Sequence, residues 1–210
     1  MGNFIVERKK IVLATTNAGK VREMRDAFQA LPVEIVPLSE FGDLPEAVED
    51  GETFAENSRI KAAFYAKQTG CACLADDSGL SVDALDGAPG VHSARWSGTH
   101  DDAANNRKLA AELSKLTPPE SEAAYHCVLT FVDTDGTSLV AEGICGGIVR
   151  PKPHGSGGFG YDPYFYLPGR NGEQTMADLT LEEKQEISHR GAALRQMARL
   201  LGDYLRESGK

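Results

Sequence analysis

The sequence predicts an α/β fold with a mixed sheet, and three observations support this prediction. Predicted strands alternate with predicted helices along the chain, which is typical of sheets whose strands are connected by helices. Two long strands around a short polar turn add an antiparallel hairpin. The chain has 210 residues, of which 41% are hydrophobic, and this is enough to bury the core of one globular domain covering 1–210.

The first third of the chain predicts two strands and two helices. The apolar run 11–14 indicates a buried strand, and the segments 20–31 and 33–36 then have the patterns of a helix and a second strand. The segment 37–50 is rich in acidic residues and is expected to be irregular. A second helix begins with a capping-box pattern at 53–56, and Gly70 is suited to end it.

The remaining segments predict further strands and helices. A short strand over 71–75 stops at the acidic turn Asp76-Asp77-Ser78-Gly79, beyond which extended structure resumes over 80–82. The segment 102–116 indicates a helix. A hairpin follows, with strands 124–132 and 138–149 around the turn 133–136. The last helical segment carries an apolar stripe formed by Ile187, Leu194, Met197, Leu201 and Leu205.

Charge and composition exclude several classes of partner. The formal net charge is −9, and seven acidic residues lie in the segment 40–56, which contains no Lys or Arg. Because no basic stripe is present, we expect no nucleic-acid partner. No apolar run is long enough to span a membrane, and the short N-terminal extension 1–9 has no long apolar region, so we expect a soluble, cytoplasmic protein. The four cysteines form no C-x-x-C pair and are expected to be reduced.

The loop after the first strand has the residue types of a phosphate site. Thr15, Thr16 and Asn17 supply small hydroxyl and amide groups, and Lys20 supplies a mobile positive charge. Backbone N–H groups at the start of the following helix would add donors for an anion. Taken alone, an ordinary strand-to-helix turn with Asn17 as the helix cap is the simpler interpretation.

The acidic pair Asp76-Asp77 is more specific. Adjacent carboxylates in extended chain point to opposite sides, so one can face a metal or water while its neighbour orients the turn. Oxygen ligands suit Mg²⁺, which usually binds through one or two carboxylates together with substrate phosphates. A turn in which both acids only accept backbone N–H groups is an equal alternative. The acids Glu49, Asp50, Glu52 and Glu56 lie shortly before or within the first turn of the preceding helix, and one of them could complete a metal site.

The glycine-rich segment 155–160 contains the spacing of two nucleotide motifs, but neither motif fits. No helix opens after it, since Tyr161-Asp162-Pro163 follows, and a Walker loop needs Lys and then Ser or Thr at that place. The segment instead indicates a flexible backbone close to a ligand, with Phe159 or Tyr161 able to stack on a base. A plain glycine-rich loop with aromatic core residues is the alternative.

Three further polar residues lie near the start of the last helical segment. Lys184 and Arg190 are obligate donors that suit phosphate and base oxygens, and His189 adds a donor in either protonation state. For any one of them alone, the alternative is an exposed cation at a helix end. The other histidines have no metal-ligand spacing.

Taken in order, these segments closely resemble the Ham1/RdgB family of inosine and xanthosine triphosphate pyrophosphatases. Six motifs carry the resemblance, which extends from the first strand to the last helix. They are Thr15-Thr16-Asn17-Ala18-Gly19-Lys20, Thr53-Phe54-Ala55-Glu56-Asn57, Ala75-Asp76-Asp77-Ser78-Gly79-Leu80, Gly87-Ala88-Pro89-Gly90-Val91 with Ser93-Ala94-Arg95, Gly158-Phe159-Gly160-Tyr161-Asp162-Pro163, and Ser188-His189-Arg190-Gly191.

The resemblance implies an elongated central sheet flanked by helices, two lobes with a nucleotide cleft between them, and a homodimer. It implies that Asp77 binds Mg²⁺ and acts as the base for the attacking water, and that Glu49 is the second metal ligand. Spacing in the acidic segment varies, so Glu52 stays an alternative for that ligand. The substrate-binding residues that it implies are Thr15, Thr16, Asn17, Lys20, Ser78, Phe159, Gly160, Tyr161, Asp162, Lys184, His189 and Arg190.

The implied activity is the hydrolysis of ITP, dITP and XTP to the monophosphate and pyrophosphate. Water deprotonated toward Asp77 would attack the α-phosphorus, while Mg²⁺ and Lys20 offset the charge of the triphosphate. Donors around the 6-position of the purine would pair with a keto oxygen and stay unpaired against the amino group of adenine. Two alternatives are a nucleotide-binding regulatory module without turnover and a metal-dependent phosphatase that releases orthophosphate stepwise.

Overall fold

The computed structural model describes residues 8–169 and 172–208. Of the expected N-terminal extension 1–9, residues 1–7 lie outside the described residues, and Lys9 already begins the first strand. In the described ranges the strands are β1 (Lys9–Leu13), β2 (Val33–Pro37), β3 (Ala72–Val82), β4 (Ser121–Val132), β5 (Ser138–Val149) and β6 (Phe165–Tyr166). The α-helices there are α1 (Ala18–Phe28), α2 (Phe54–Thr69), α3 (Asp102–Leu113), α4 (Leu181–Ile187) and α5 (His189–Ser208).

The strands form one sheet with the order β2-β1-β3-β4-β5-β6. β1 pairs in parallel with β2 and with β3, so that Ile11 lies opposite Ile35 on one side and Ala72 on the other. β5 pairs antiparallel with β6. The predicted turn joins β4 to β5, and in it the Asp133 N–H donates to the Thr137 carbonyl at 2.8 Å. The sheet is therefore mixed, and the predicted α/β class is confirmed.

Local sequence signals explain where α1 and α2 begin and end. Asn17 caps α1 by accepting the Lys20 N–H at 3.1 Å, and Pro32 disfavours helical backbone just before it, so α1 ends at Phe28, earlier than predicted. The predicted capping box of α2 is present, since Thr53 accepts the backbone N–H of the third helical residue. Gly70 ends α2 in the left-handed conformation with a φ of 64°.

The prediction that the acidic motif is a turn at a strand end is wrong. β3 runs without interruption from Ala72 to Val82 and carries the motif in its middle. The apolar residues on either side of the motif, Ala75 and Leu80, are fully or almost fully buried. Continuing the strand through the polar residues buries both apolar flanks in the sheet, and this outweighs the turn preference of Asp, Ser and Gly.

The last helical segment consists of two helices. α4 ends at Ile187, Ser188 is extended, and α5 begins at the next residue. Leu194, Met197 and Leu201 on α5 are buried, as the apolar stripe predicted. Ile187 is 39% exposed and is not part of that stripe, because the break at Ser188 changes the helical phase.

The chain divides into two compact units. The first consists of Met1–Asp77, Val128–Glu142 and Ala193–Lys210, and the second consists of Ser78–Cys127 and Gly143–Ala192. The first has a core that includes Ala62, Cys73 and Ala75, whereas the core of the second includes Tyr125 and Phe165. The prediction that the whole chain is one two-lobed domain stays a prediction.

Two features of the composition have a structural counterpart. The four cysteines are free thiols, as predicted. Two of them, Cys73 and Cys127, are fully buried. In the part of the chain that the structure describes, no helix combines the length and the apolar character needed to cross a membrane.

Candidate active site

The loop between β1 and α1 is a capped helix start. Ala14 donates its N–H to the Leu74 carbonyl at 2.9 Å, which fixes the loop to β3. Asn17 accepts the Lys20 N–H through its side chain and donates its own N–H to the Thr15 hydroxyl at 3.2 Å. Asn17 is therefore a helix cap, and the preceding residue Thr16 is exposed. The start of α1 combines these small polar groups with the positive end of the helix dipole.

Lys20 is held by the first carboxylate of the acidic motif. Its Nζ lies 2.8 Å from Asp76 Oδ1, and Asp76 is only 2% exposed. A buried carboxylate requires a cationic partner or several hydrogen bonds, so this contact fixes the direction of the lysine side chain. Lys20 is therefore anchored to β3, whereas the sequence predicted a mobile charge.

A second lysine joins the same group of carboxylates from α2. Lys61 Nζ lies 2.8 Å from Glu49 Oε2 and donates to the Asp76 carbonyl at 3.1 Å. Burial lowers the pKa of Lys61, but the Asp76 and Glu49 carboxylates raise it by more, so the ammonium stays charged. Lys61 was not among the residues predicted from the sequence. The signal that could have found it is its position one helical turn after Asn57, on the same face of α2.

Asp77 is partly buried in a negatively charged environment. Burial raises the pKa of its carboxyl to about 6, and the nearby Asp76 and Glu49 carboxylates also raise it. Lys61 and a hydrogen bond with the side chain of Asn57 act in the opposite direction. Asp77 and Glu49, the two predicted metal ligands, therefore interact within the first unit.

Three of the candidate acids for the second ligand, Glu49, Glu52 and Glu56, have different surroundings. Glu56 accepts the backbone N–H groups of Glu52 and Thr53 at 2.8 and 3.1 Å, so its carboxylate is part of the α2 cap. Glu52 is exposed. Glu49 forms the ion pair with Lys61, which places it in the carboxylate group of Asp77. Glu49 is the one of the three that the structure brings together with Asp77.

In the second unit, Asp162 anchors the glycine-rich loop. It is 3% exposed, and its carboxylate accepts the Phe159 N–H at 2.9 Å and the Lys184 ammonium at 2.6 Å. The Tyr125 hydroxyl donates to its other oxygen at 3.3 Å. Asp162 thus determines the loop conformation and the position of Lys184, two of the predicted substrate-binding features.

Phe159 and Tyr161 have opposite environments. The Phe159 ring is 46% exposed, with Lys184 Nζ 4.4 Å and Arg190 Cζ 5.7 Å from its centroid. Both distances are in the range of cation–π contacts. Tyr161 is buried, and its hydroxyl donates to the Ser93 carbonyl at 2.8 Å. Its predicted contact with the substrate stays a prediction, while Phe159 offers an exposed aromatic ring next to two cations.

His189 and Arg190 lie in the first turn of α5 and are buried. The His189 ring stacks on Tyr125 with a centroid distance of 4.7 Å and an interplanar angle of 13°, and Arg190 donates to the Ser78 hydroxyl at 3.1 Å. A Cβ at Gly191 would lie 1.8 Å from the Gln185 carbonyl oxygen, so only glycine allows α5 to begin this close to α4. The positions of the His189 and Arg190 side chains therefore depend on the close packing of α5 against α4 at Gly191. Tyr125, which touches His189 and Asp162, was not among the residues predicted from the sequence.

Each unit thus assembles a different kind of chemistry. The first contains lysines, carboxylates and a helix start, which suit phosphate groups and a cation. The second contains an aromatic ring with cationic donors, which suits a nucleobase with carbonyl oxygens. Among the described residues, no three His, Cys, Asp or Glu side chains form a metal-binding cluster. A site with two carboxylates would need further ligands from substrate or water.

Comparisons with known proteins give a consistent result. The model of the Ham1 family matches residues 11–200. A dITP/XTP pyrophosphatase of Geobacter sulfurreducens is 46% identical over 197 residues, which cover 93% of this chain and 96% of that protein. A dITP/XTP pyrophosphatase of Geobacillus kaustophilus is 48% identical over 187 residues, covering 89% of this chain and 91% of that protein. The solved structure of a HAM1 protein from Coxiella burnetii has a TM-score of 0.85 and 40% identity, covering 93% of this chain and 99% of that one.

Proposed function

The chain belongs to the Ham1 family, and on this basis we propose that it hydrolyses non-canonical purine nucleoside triphosphates to the monophosphate and pyrophosphate. The substrates are ITP, dITP and XTP. The observation that carries the proposal is that relatives named dITP/XTP pyrophosphatase match nearly the whole chain at high identity. The activity removes deaminated purine nucleotides from the triphosphate pool.

The triphosphate is held by the start of α1 and its neighbours. Thr15, Thr16 and Asn17 surround the first backbone N–H groups of the helix, and these groups favour anions. Lys20 adds a positive charge whose direction is fixed by Asp76. A fixed lysine loses little side-chain entropy when a phosphate binds, which favours an ordered triphosphate.

The carboxylates of the first unit fit a Mg²⁺ ion. One group contains the three carboxylates of Asp76, Asp77 and Glu49 and the two ammonium groups of Lys20 and Lys61. The group therefore has an excess of negative charge. Asp77 and Glu49 would hold the ion, and both offer the hard oxygen ligands that Mg²⁺ prefers. When bound, the ion would neutralise charge on the triphosphate and lower the pKa of a bound water.

Asp77 acts as the base. Without a bound cation the pKa of this carboxyl group is about 6, so it is ionised at neutral pH and is free to hold the ion or to accept a proton from water. The attacking water transfers a proton to Asp77 and forms a bond to the α-phosphorus, and the bond to the pyrophosphate oxygen breaks. Lys20 and Lys61 offset the negative charge that develops during this step.

The second unit recognises the base. The exposed ring of Phe159 stacks on the purine, and the chain around Gly160 and Asp162 encloses it. Lys184 and Arg190 lie over the same ring and donate to the keto oxygen at the 6-position. Against adenine these donors face an amino group and stay unpaired, which is the arrangement that gives strong discrimination, about 10⁴-fold in favourable cases. Buried His189 and the Ser78 hydroxyl add donors in the same unit.

We also propose an assembly and a location. The enzyme is a homodimer, as the family resemblance implies. It works in the cytoplasm, because the triphosphates that polymerases use are found there. Light scattering on the purified chain tests the assembly, and a mass of one protomer would contradict it.

Product analysis tests the activity. The purified chain is incubated with ITP, XTP, GTP or ATP, with Mg²⁺ or with EDTA, and pyrophosphate and orthophosphate are measured separately. We expect pyrophosphate in stoichiometric amounts from ITP and XTP, little from ATP, and none with EDTA. GTP shares the 6-keto oxygen with ITP, so the rate with GTP measures discrimination at the 2-position of the purine.

Other outcomes identify the alternative functions. Orthophosphate released in steps would indicate a metal-dependent phosphatase. Binding of ITP without any product would indicate a regulatory module. Equal rates with ATP and ITP would contradict the assignment of Lys184 and Arg190 to the 6-keto oxygen.

A further inference from the structure

The glycine-rich loop of the second unit needs external support to hold Phe159 in one position. Gly160 has a φ of +59° and a Cβ added to it would meet open space, so glycine is required for the backbone conformation and not for lack of room. Glycine backbone loses more conformational freedom on ordering than any other residue. The Asp162 carboxylate accepts the Phe159 N–H at 2.9 Å, and the Phe159 carbonyl accepts the Asp162 N–H at 3.3 Å, but neither bond holds the N–H or the carbonyl of Gly160.

Two side chains of α3 hold that next residue from both ends. The Gly160 N–H donates to Asp102 Oδ2 at 2.9 Å, and the Asn106 Nδ2 donates to the Gly160 carbonyl at 2.9 Å. Asp102 and Asn106 are four residues apart and therefore lie on the same face of α3. We infer that Asp102 and Asn106 are positioning residues for nucleobase recognition, because they clamp Gly160 and with it the exposed ring of Phe159.

Asn106 makes this contact at a cost to the fold. Its Oδ1 is buried and, among the described residues, has no hydrogen-bond partner. Turning the amide over would place oxygen against the Gly160 carbonyl, so the donor must face the loop and the acceptor must stay unpaired. A buried acceptor without a partner is destabilising. An apolar residue at position 106 would make the fold at least as stable. The presence of Asn106 therefore indicates a role in holding the loop.

The clamp acts on the base and not on the phosphates. The loop that it holds carries Phe159, which Lys184 and Arg190 approach, and all of these residues belong to the second unit. The lysines and carboxylates that suit the triphosphate belong to the first unit. The inference rests on the proposed function for the assignment of Phe159 to the base, and it predicts an effect that depends on the presence of a base.

The test compares ligands with and without a base. Steady-state kinetics on ITP are combined with inhibition by inosine monophosphate and by inorganic tripolyphosphate, which has no base. In Asn106→Leu we expect the KM for ITP and the inhibition constant of inosine monophosphate to rise about tenfold, the size expected for one lost hydrogen bond. The kcat and the inhibition constant of tripolyphosphate stay within about twofold of wild type.

A stability measurement separates positioning from a structural role. The melting temperature of Asn106→Leu is expected to stay at or above the wild-type value, because the unpaired acceptor is removed. Asp102→Ala should weaken binding of the base as Asn106→Leu does, whereas Asp102→Asn keeps an acceptor for the Gly160 N–H and should restore most of the affinity. Arg107→Ala is the matched control, since Arg107 follows Asn106 on α3 with a side chain that is 72% exposed.

Two results would overturn the inference. One is an equal loss of affinity for inosine monophosphate and tripolyphosphate together with a lower melting temperature, which would make the clamp a general support of the fold. The other is unchanged kinetics in both Asn106→Leu and Asp102→Ala. Failure of the proposed function would show differently, because the wild-type chain itself would then release no pyrophosphate from ITP.

Discussion

Replacement of Lys20 by Met tests the contact between the first helix and the acidic strand. The change keeps an unbranched apolar side chain but removes the ammonium group, which leaves Asp76 buried without its 2.8 Å partner. Removing one member of a buried ion pair costs about 3–5 kcal/mol in fully buried cases. Here the lysine side chain is 21% exposed and Lys61 remains at the Asp76 carbonyl, so we expect a smaller loss, about 2 kcal/mol in the free energy of unfolding.

A double-mutant cycle measures the contact itself. Urea unfolding at pH 7 is followed for wild type, Lys20→Met, Asp76→Asn and the double variant. Because the Asp76→Asn change removes the buried charge that needs a partner, the double variant should be less destabilised than the sum of the two single changes, with a coupling of about 1–2 kcal/mol. Lys67→Met is the control, since Lys67 lies exposed near the end of α2 and should change stability by no more than about 0.5 kcal/mol.

The same variant also tests the phosphate assignment. Lys20→Met should weaken ITP binding about tenfold or more while leaving inosine binding unchanged, because the lost charge faces phosphate and not base. Calorimetric titration with both ligands gives the comparison. Equal losses for ITP and inosine would refute the phosphate role, and a coupling energy near zero in the cycle would refute the structural one.

Three other variants test separate parts of the fold and the site. Asp77→Asn should abolish turnover of ITP while circular dichroism and the melting temperature stay near wild type, and wild-type turnover would contradict its role as the base. Burial raises the pKa of the Asp133 carboxyl, but hydrogen bonds from Lys9 and Tyr204 lower it by more. The pKa of Asp133 is therefore below the usual value for an aspartate. A lowered pKa in the folded state stabilises the fold above about pH 4, and this stability is lost as the pH falls, so Asp133→Asn should flatten the decrease in urea midpoint between pH 6 and 3. Thr53→Ala removes the α2 cap and should cost about 1 kcal/mol in unfolding experiments, and no change would show that the cap does not contribute.

Local signals predicted the helices and the hairpin well. The capping box at Thr53, the Gly70 end and the turn at 133–136 are all determined by residues close in sequence, and each is present in the structure. The fold class followed from the alternation of these elements. Short-range chemistry of this kind can be read from a single sequence, because the interacting groups are only a few residues apart.

Long-range contacts were less accessible to prediction. The continuous path of β3 depends on neighbouring strands that pair with it, and no local pattern distinguishes a strand through Asp76-Asp77-Ser78-Gly79 from a turn. The role of Lys61 depends on its contacts with Glu49 and the Asp76 carbonyl, and these groups meet only because α2 packs against the sheet. Similarly, Asp162 was predicted only as a substrate-binding residue, and no local pattern indicated that the structure makes it a buried anchor of its loop. These roles depend on tertiary packing, which overrides local preference.

The continuous path of β3 also makes chain length critical at one place in the molecule. Consecutive residues of a strand face opposite sides, so inserting or deleting one residue before Asp76 would exchange the sides that Asp76 and Asp77 face. Lys20 and Lys61 would then each meet the wrong neighbour although every functional residue was still present. The stretch 42–48 before Glu49 has no such requirement, because it contains neither helix nor strand, and it can change in length without reversing any side chain of the site.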